Sequence, residues 1–255
     1  MQDIRLVNLS FSYPSKRNVG LEVFKNLSLN IDAGDFIVIL GESGCGKTTL
    51  LELIAGLIPP PPESIFAAGK SITEPDPQRI MIFQQARLLP WLSVRENIAF
   101  GCTLRGDTEN LLQRTAQLIS LMGLDDFAEE RPHKLSVGMA QRVSIARGII
   151  GNPHILLLDE PYTALDIYNR RRLQRELAKL WAEIGFTAVF VTHDIDEALV
   201  LGRRIVVLGG RPAEILADFE PAEEPPRSCS EANLIALRHK IEEVFERRDK
   251  EESVR

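Results

Sequence analysis

Apolar residues recur every second position over Ile4-Arg5-Leu6-Val7 and over Leu27-Ser28-Leu29-Asn30-Ile31, which predicts β-structure at the start of the chain. Asp32-Ala33-Gly34-Asp35 reads as the turn that follows. Phe36-Ile37-Val38-Ile39-Leu40 is an unbroken apolar run, and Leu50, Leu51, Leu53, Ile54 and Ala55 then follow helical spacing. Pro59 to Pro62 predict a stiff, exposed connector that acts as a plain spacer. Ile80-Met81-Ile82-Phe83 predicts a short buried strand. From about Ala86 to Gly148 the pattern turns helical, with Leu111, Leu112, Thr115, Leu118, Ile119 and Met122 in register and Gly123 as a stop. Strands are predicted over Ile155 to Leu158, Ala188 to Val191 and Ile205 to Leu208, with a helix from about Arg170 to Ile184. A Pro/Glu-rich joint, Glu220 to Pro226, precedes an amphipathic helix marked by Leu234, Leu237, Ile241, Val244 and Phe245. That stripe is expected to dock on its own domain rather than on a partner. Apolar strands alternating with helices imply an α/β fold with a mostly parallel sheet covered on both faces.

At 255 residues the chain can bury a sizeable core in one or two domains. Thirty basic against thirty-six acidic residues leave a net charge of −6, so nothing points to a nucleic-acid-binding surface. No apolar run approaches the ~20 residues that span a bilayer. Met1-Gln2-Asp3-Ile4-Arg5 lacks the charged and apolar regions of a signal peptide. Cys45, Cys102 and Cys229 are widely spaced with no metal pattern, which fits a reducing compartment.

The chemistry concentrates at the ends of the apolar strands. Gly41-Glu42-Ser43-Gly44-Cys45-Gly46-Lys47-Thr48 reads G-x-x-x-x-G-K-T between a strand and a helix, the setting a phosphate-binding loop requires. Glycines let backbone N–H groups curl around phosphate oxygens, and the helix start adds its free N–H groups. Lys47 can reach β- and γ-phosphates, and the Thr48 hydroxyl can ligate Mg²⁺. Asp159 and Glu160 close the strand at Ile155; Asp159 is placed to hold Mg²⁺ and Glu160 to take a proton from attacking water. The loop and the acid pair are expected on adjacent strands. His193, in Thr192-His193-Asp194, ends the next strand and is a candidate γ-phosphate sensor. Cys45 has two readings, a thiolate favoured by Lys47 and the helix start or an inert space-filling side chain.

Together these residues resemble the ATP-binding-cassette ATPases, and the likeness covers nearly all of residues 1–219. Tyr13, in Phe11-Ser12-Tyr13-Pro14, matches the family's adenine-stacking aromatic, and Thr49 extends the phosphate loop. Gln84 matches the glutamine that links the γ-phosphate and its metal to a helical subdomain. Leu135-Ser136-Val137-Gly138-Met139 stands where the family has Leu-Ser-Gly-Gly-Gln, and Ala164-Leu165-Asp166 matches the loop that crosses between two nucleotide sites. The resemblance implies a P-loop NTPase core, an N-terminal antiparallel β-subdomain, a helical subdomain inserted at about 86–148, and a linker and helix at 220–255. It also implies ATP and Mg²⁺ as cofactors, with Glu160, His193 and Gln84 catalytic, and Thr48, Gln84 and Asp159 on the metal. Gly41, Ser43, Gly44, Cys45, Gly46, Lys47, Thr48 and Thr49 would cradle the phosphates. Ser136, Gly138 and Asp166 would complete the site in a second, head-to-tail copy.

Two residues depart from the family pattern. Met139 resembles a variation seen in the nitrate, sulfonate and taurine importer branch. Val137 replaces a glycine; if that glycine needs φ > 0, a β-branched residue is disfavoured, and the expectation is a working but slowed ATPase. Leu88-Leu89-Pro90-Trp91, the stretch from Val191 to Ala198 and the tail with Pro225-Pro226-Arg227 point to the same branch, with pyrimidine-precursor uptake as an alternative substrate class. The implied protein is peripheral on the cytoplasmic face of a bacterial inner membrane. Its implied partners are permease subunits and, indirectly, a solute-binding protein. A soluble ATPase of DNA repair or translation fits less well, since only about fifty residues separate Gln84 from Leu135 and there is one motif set. A binding-only regulatory subunit has Val137 as its sole support.

Overall fold

The computed structural model describes residues 2–14, 20–163, 165–228 and 232–253; Met1, Ala164 and Cys229 lie outside them. Strands β1 (Ile4–Tyr13) and β2 (Leu21–Ile31) form an antiparallel pair, much longer than the alternating stretches predict. Both break register where Asn8 and Asn26 take positive φ (47° and 53°), which interrupts the alternation that sequence reading relies on. Next come β3 (Phe36–Gly41), α1 (Lys47–Ala55), β4 (Ile65–Ala67), β5 (Lys70–Ser71) and β6 (Arg79–Ile82). The helical segment holds α2 (Val94–Arg105), α3 (Leu111–Leu121) and α4 (Val137–Ile149). The chain then runs through β7 (Ile155–Asp159), α5 (Ile167–Ile184), β8 (Thr187–Thr192), α6 (Ile195–Leu201), β9 (Arg204–Gly209), β10 (Glu214–Phe219) and α7 (Ala232–Ser253).

A four-stranded antiparallel sheet, ordered β2-β1-β4-β5, packs beside a six-stranded sheet ordered β10-β9-β3-β8-β7-β6. In the larger sheet every pairing is parallel except that of the edge strand β10 with β9. Successive residues of β3 serve opposite faces. Phe36, Val38 and Leu40 join one apolar core with α2, α4, α5 and α6. Ile37 and Ile39 join another with α1 and the N-terminal sheet. A strand buried on both faces loses its alternation, so β3, β7 and β8 appear in sequence as unbroken apolar runs. β6 is at the sheet edge, and Ile80 and Met81 are only half-buried, less than the sequence pattern predicts.

Local chemistry sets the helix ends. Ser93 and Glu96 form a reciprocal capping box at α2, and Asp166 and Asp194 cap α5 and α6 by accepting from backbone N–H groups; such caps contribute about 1 kcal/mol each. α3 ends at Leu121, and Gly123 follows with φ 61° as the expected stop. The terminal stripe docks on its own domain: Leu234 and Ile241 are buried in the main core, with Leu237, Val244 and Phe245 packed against it.

Candidate nucleotide site

β3, β8 and β7 lie side by side, and their carboxyl ends carry the phosphate loop, His193 and the acid pair in that order. The loop and the acids are therefore separated by β8, contrary to the expected adjacency; His193 occupies the place between them. Crossover connections decide sheet order, and local sequence carries no trace of it.

The loop's backbone depends on glycine at Gly46, which has φ 101° and where a Cβ would come within 2.7 Å of Val23 and 3.1 Å of the Phe24 ring. Gly41 closes β3, Ser43 and Gly44 form the turn, and Lys47, Thr48 and Thr49 open α1, so the first helical N–H groups point into the loop's concavity. Lys47 is 5% exposed, and its Nζ donates to the carbonyl oxygens of Gly41 (2.8 Å) and Glu42 (2.9 Å). It also lies 3.7 Å from Glu160 Oε1. Thr48 Oγ1 donates to Asp159 Oδ1 at 3.0 Å. Burial raises the Asp159 carboxyl above its ordinary value, and the Thr48 hydroxyl works against that rise.

Glu160 takes φ 42°, a left-handed backbone rare for a non-glycine residue. Its Oε2 meets His193 Nδ1 at 3.0 Å and accepts from Thr163 Oγ1 at 3.2 Å. Lys47, Glu160 and His193 thus share one cluster, as expected, and Thr163 joins it. Sequence reading missed Thr163, whose one signal is its position three residues after the acid.

Tyr13, at the end of β1, places its hydroxyl 3.2 Å from Thr49 Oγ1 and its ring edge-on to Phe11, so it stands over the start of α1. Gln84 follows β6 and is exposed. Cys45 is 6% exposed, and burial raises its thiol pKa against the pull of Lys47. Burial thus favours the space-filling reading over the thiolate one, because desolvation outweighs the nearby cation.

Ser136, Gly138 and Asp166 lie outside this cluster of contacts. Ser136 caps α4, its Oγ accepting from Met139 N at 3.3 Å. Asp166 accepts from the Asn169 side-chain amide at 2.6 Å and from the backbone N–H groups of Asn169 and Tyr168 at 3.1 and 3.0 Å, the side-chain bond first among the causes that hold its carboxyl below the usual range. Val137 is the first residue of α4, 64% exposed, and is not among the residues with positive φ. The conformational objection to valine is thereby removed, because the first helical position accepts a β-branched residue. Gly138 is the tight position: a Cβ there would lie 2.8 Å from Leu165 Cδ2.

The site's residues fit a triphosphate with Mg²⁺. Among the described residues no group of three His, Cys, Asp or Glu could hold a metal alone. The Thr48–Asp159 pair is the sparse protein donor set that Mg²⁺ accepts when phosphate and water complete its shell. No helix among the described residues is long and apolar enough to cross a membrane.

Known proteins share this chain's sequence pattern and fold. The family model for ABC transporters matches residues 24–163. The chain is 40% identical to an aliphatic sulfonates import ATP-binding protein of Bacillus cereus over 92% of this chain and 93% of that one. It is 40% identical to a taurine import ATP-binding protein of Roseobacter denitrificans, over 86% and 82%. Identity to a nitrate import ATP-binding protein of Synechococcus elongatus is 49%, over 79% of this chain and 31% of that longer one. A solved dimeric ATP-binding cassette in a post-hydrolysis state with ADP and Pi superposes with a TM-score of 0.76 at 32% identity, covering 85% of this chain and 98% of that chain. With the phosphate loop, the acid pair and His193 gathered on neighbouring strand ends, the chain belongs to the ABC transporter family as one of its ATP-hydrolysing subunits.

Proposed function

We propose that this chain powers import of a small anion of the nitrate, sulfonate or taurine type, working as a head-to-tail pair on the cytoplasmic face of a bacterial inner membrane beneath permease subunits fed by a solute-binding protein. The observation that carries the catalytic part is the contact set of Glu160, which brings Lys47, Thr163 and His193 onto one carboxylate. Identity near 40% to sulfonate and taurine import subunits over most of the chain supports the substrate class.

In this reading Tyr13 stacks on adenine, and the backbone of Gly41 to Thr49 with the Lys47 ammonium holds the phosphates. Thr48 and Asp159, with Gln84, would hold Mg²⁺, which when bound neutralises charge developing on the phosphoryl oxygens. Glu160 accepts a proton from a water whose oxygen attacks the γ-phosphorus; the bond from that phosphorus to the β–γ bridging oxygen breaks, and ADP carries the electron pair away. His193 Nδ1 orients Glu160, leaving the other ring nitrogen for a γ-phosphate oxygen. Ser136 and Gly138 of the second copy would close the site with a hydroxyl and backbone N–H groups. Segment 86–148 would carry the resulting movement to the permease.

The test is purification of the chain with candidate permease and solute-binding-protein subunits, reconstituted in vesicles. ATP hydrolysis stimulated several-fold by a sulfonate, taurine or nitrate supports the reading. Stimulation by a pyrimidine precursor alone moves the substrate class, and hydrolysis indifferent to any permease supports a soluble ATPase instead.

A further inference from the structure

Behind His193 lies a second carboxylate that the hydrolytic scheme does not use. Glu197, on the first turn of α6, is 3% exposed. Its Oε2 accepts from Thr192 Oγ1 at 2.6 Å, and the same hydroxyl accepts from Asp194 N at 3.0 Å, so one short chain of hydrogen bonds closes the turn that presents His193. Arg170 reaches this turn from α5, with Nη1 donating to Asp194 Oδ2 at 2.8 Å and Nε 3.7 Å from Glu197 Oε1. Arg170 is one helical turn from Asp166, whose carbonyl accepts from Arg170 N at 2.9 Å.

We propose that Glu197 is a positioning residue for ATP hydrolysis: tied to Arg170 and Thr192, it locks the His193 turn against the start of α5, so that displacement of the loop at Asp166 is felt at His193 and Glu160. Burying an acid in this place is costly and invites a reason. A simple cap for α6 is already supplied by Asp194, which accepts from Asp196 N and Glu197 N. Apolar filler would pack the space without desolvating a carboxylate. The acid joins two segments that flank the hydrolytic cluster, adding an ion pair to the Arg170–Asp194 hydrogen bond and to the apolar packing of α5 on α6.

The groups facing Glu197 are Arg170 from α5, Asp194 and His193 from the turn, and Tyr162 from the loop after β7. Burial, reinforced by Asp194, lifts the Glu197 carboxyl to about 7 against the opposing pull of Thr192, Arg170 and His193. Below that pH the acid is neutral and its hold on Arg170 weakens, so the turnover number falls while nucleotide binding, carried by the phosphate loop, does not.

This inference rests on the assignment of His193 to the γ-phosphate site, and its test separates the two. In the full-length chain, E197Q is expected to lower kcat about tenfold at pH 8 with KM for ATP within twofold, and to abolish the decline in kcat expected of the unaltered chain between pH 8 and 6. If Glu197 acts through His193, the double variant E197Q/H193A is no slower than H193A. Additive losses, a KM that rises as kcat falls, or wild-type kcat in E197Q overturn the proposal. R170K, which keeps the charge but not the two-pronged reach, is expected to fall between the unaltered chain and E197Q; an R170K rate equal to the unaltered chain's removes Arg170 from the link and overturns it equally. Full turnover by H193A would instead sink the γ-phosphate assignment itself.

Discussion

Replacing Glu197 with glutamine should make the protein more stable at alkaline pH than at acid pH relative to the unaltered chain. Two opposing effects act on this buried carboxyl. Removal from water favours the neutral acid, whereas Arg170 at 3.7 Å and the Thr192 hydroxyl at 2.6 Å favour the anion. Desolvation wins, and the carboxyl titrates at about 7 in the folded protein against 4.5 for the unburied group. The folded state therefore binds more protons than the unfolded chain between these values, and stability falls as pH rises through that window. Across the whole window the loss is about 3 kcal/mol, since each pH unit of difference is worth about 1.4 kcal/mol. Glutamine keeps the shape and an acceptor for Thr192 but cannot ionise. Unfolding by urea, followed by circular dichroism at pH 5 and pH 8, should show the variant's advantage growing by roughly 2–3 kcal/mol between the two, with other titrating groups cancelling in the comparison. An advantage that grows by less than about 1 kcal/mol, or that reverses sign, would show that Arg170 outweighs burial and would refute the reasoning.

Lys47→Ala removes the ammonium that sits between the loop carbonyls and Glu160. ATP affinity, read with a fluorescent nucleotide, should weaken at least tenfold, in line with the ~1.5–3 kcal/mol of a charged hydrogen bond; unaltered affinity would count against the loop assignment. Val137→Gly should leave the ATPase rate within about twofold, because the position is already helical. It should also cost roughly 0.5–1 kcal/mol of stability from glycine in a helix. A several-fold rise in rate would show that the valine side chain obstructs the second copy.

What could be read from the sequence was local. The phosphate loop announces itself because strand, glycines and helix are contiguous, and the acid pair because it ends an apolar strand. The sheet order was not legible: β8 between β3 and β7 is a consequence of crossovers, and no local pattern records it. α6, seven residues long, is too short to establish a helical period, so Glu197 reads as an ordinary solvated acid until the fold buries it. β4, β5 and β10 escaped for similar reasons, being short or at a sheet edge with half-exposed side chains. Neither Cys45 nor Val137 could be judged from local sequence alone. For the cysteine the charge nearby was visible and the burial was not. For the valine the family's glycine suggested an unusual backbone that the start of α4 does not have.

The central claim, that Glu160 takes the proton of the attacking water while the phosphate loop holds ATP independently, is tested most directly by turnover and nucleotide affinity measured together on Glu160→Gln. The carboxylate's contacts with Thr163 and His193 should survive the isosteric change. The account requires kcat to fall by at least ~10², the low end for general-base catalysis, with ATP affinity within about twofold and an ATP-bound dimer that accumulates on size exclusion. Near-normal turnover in that variant would contradict it.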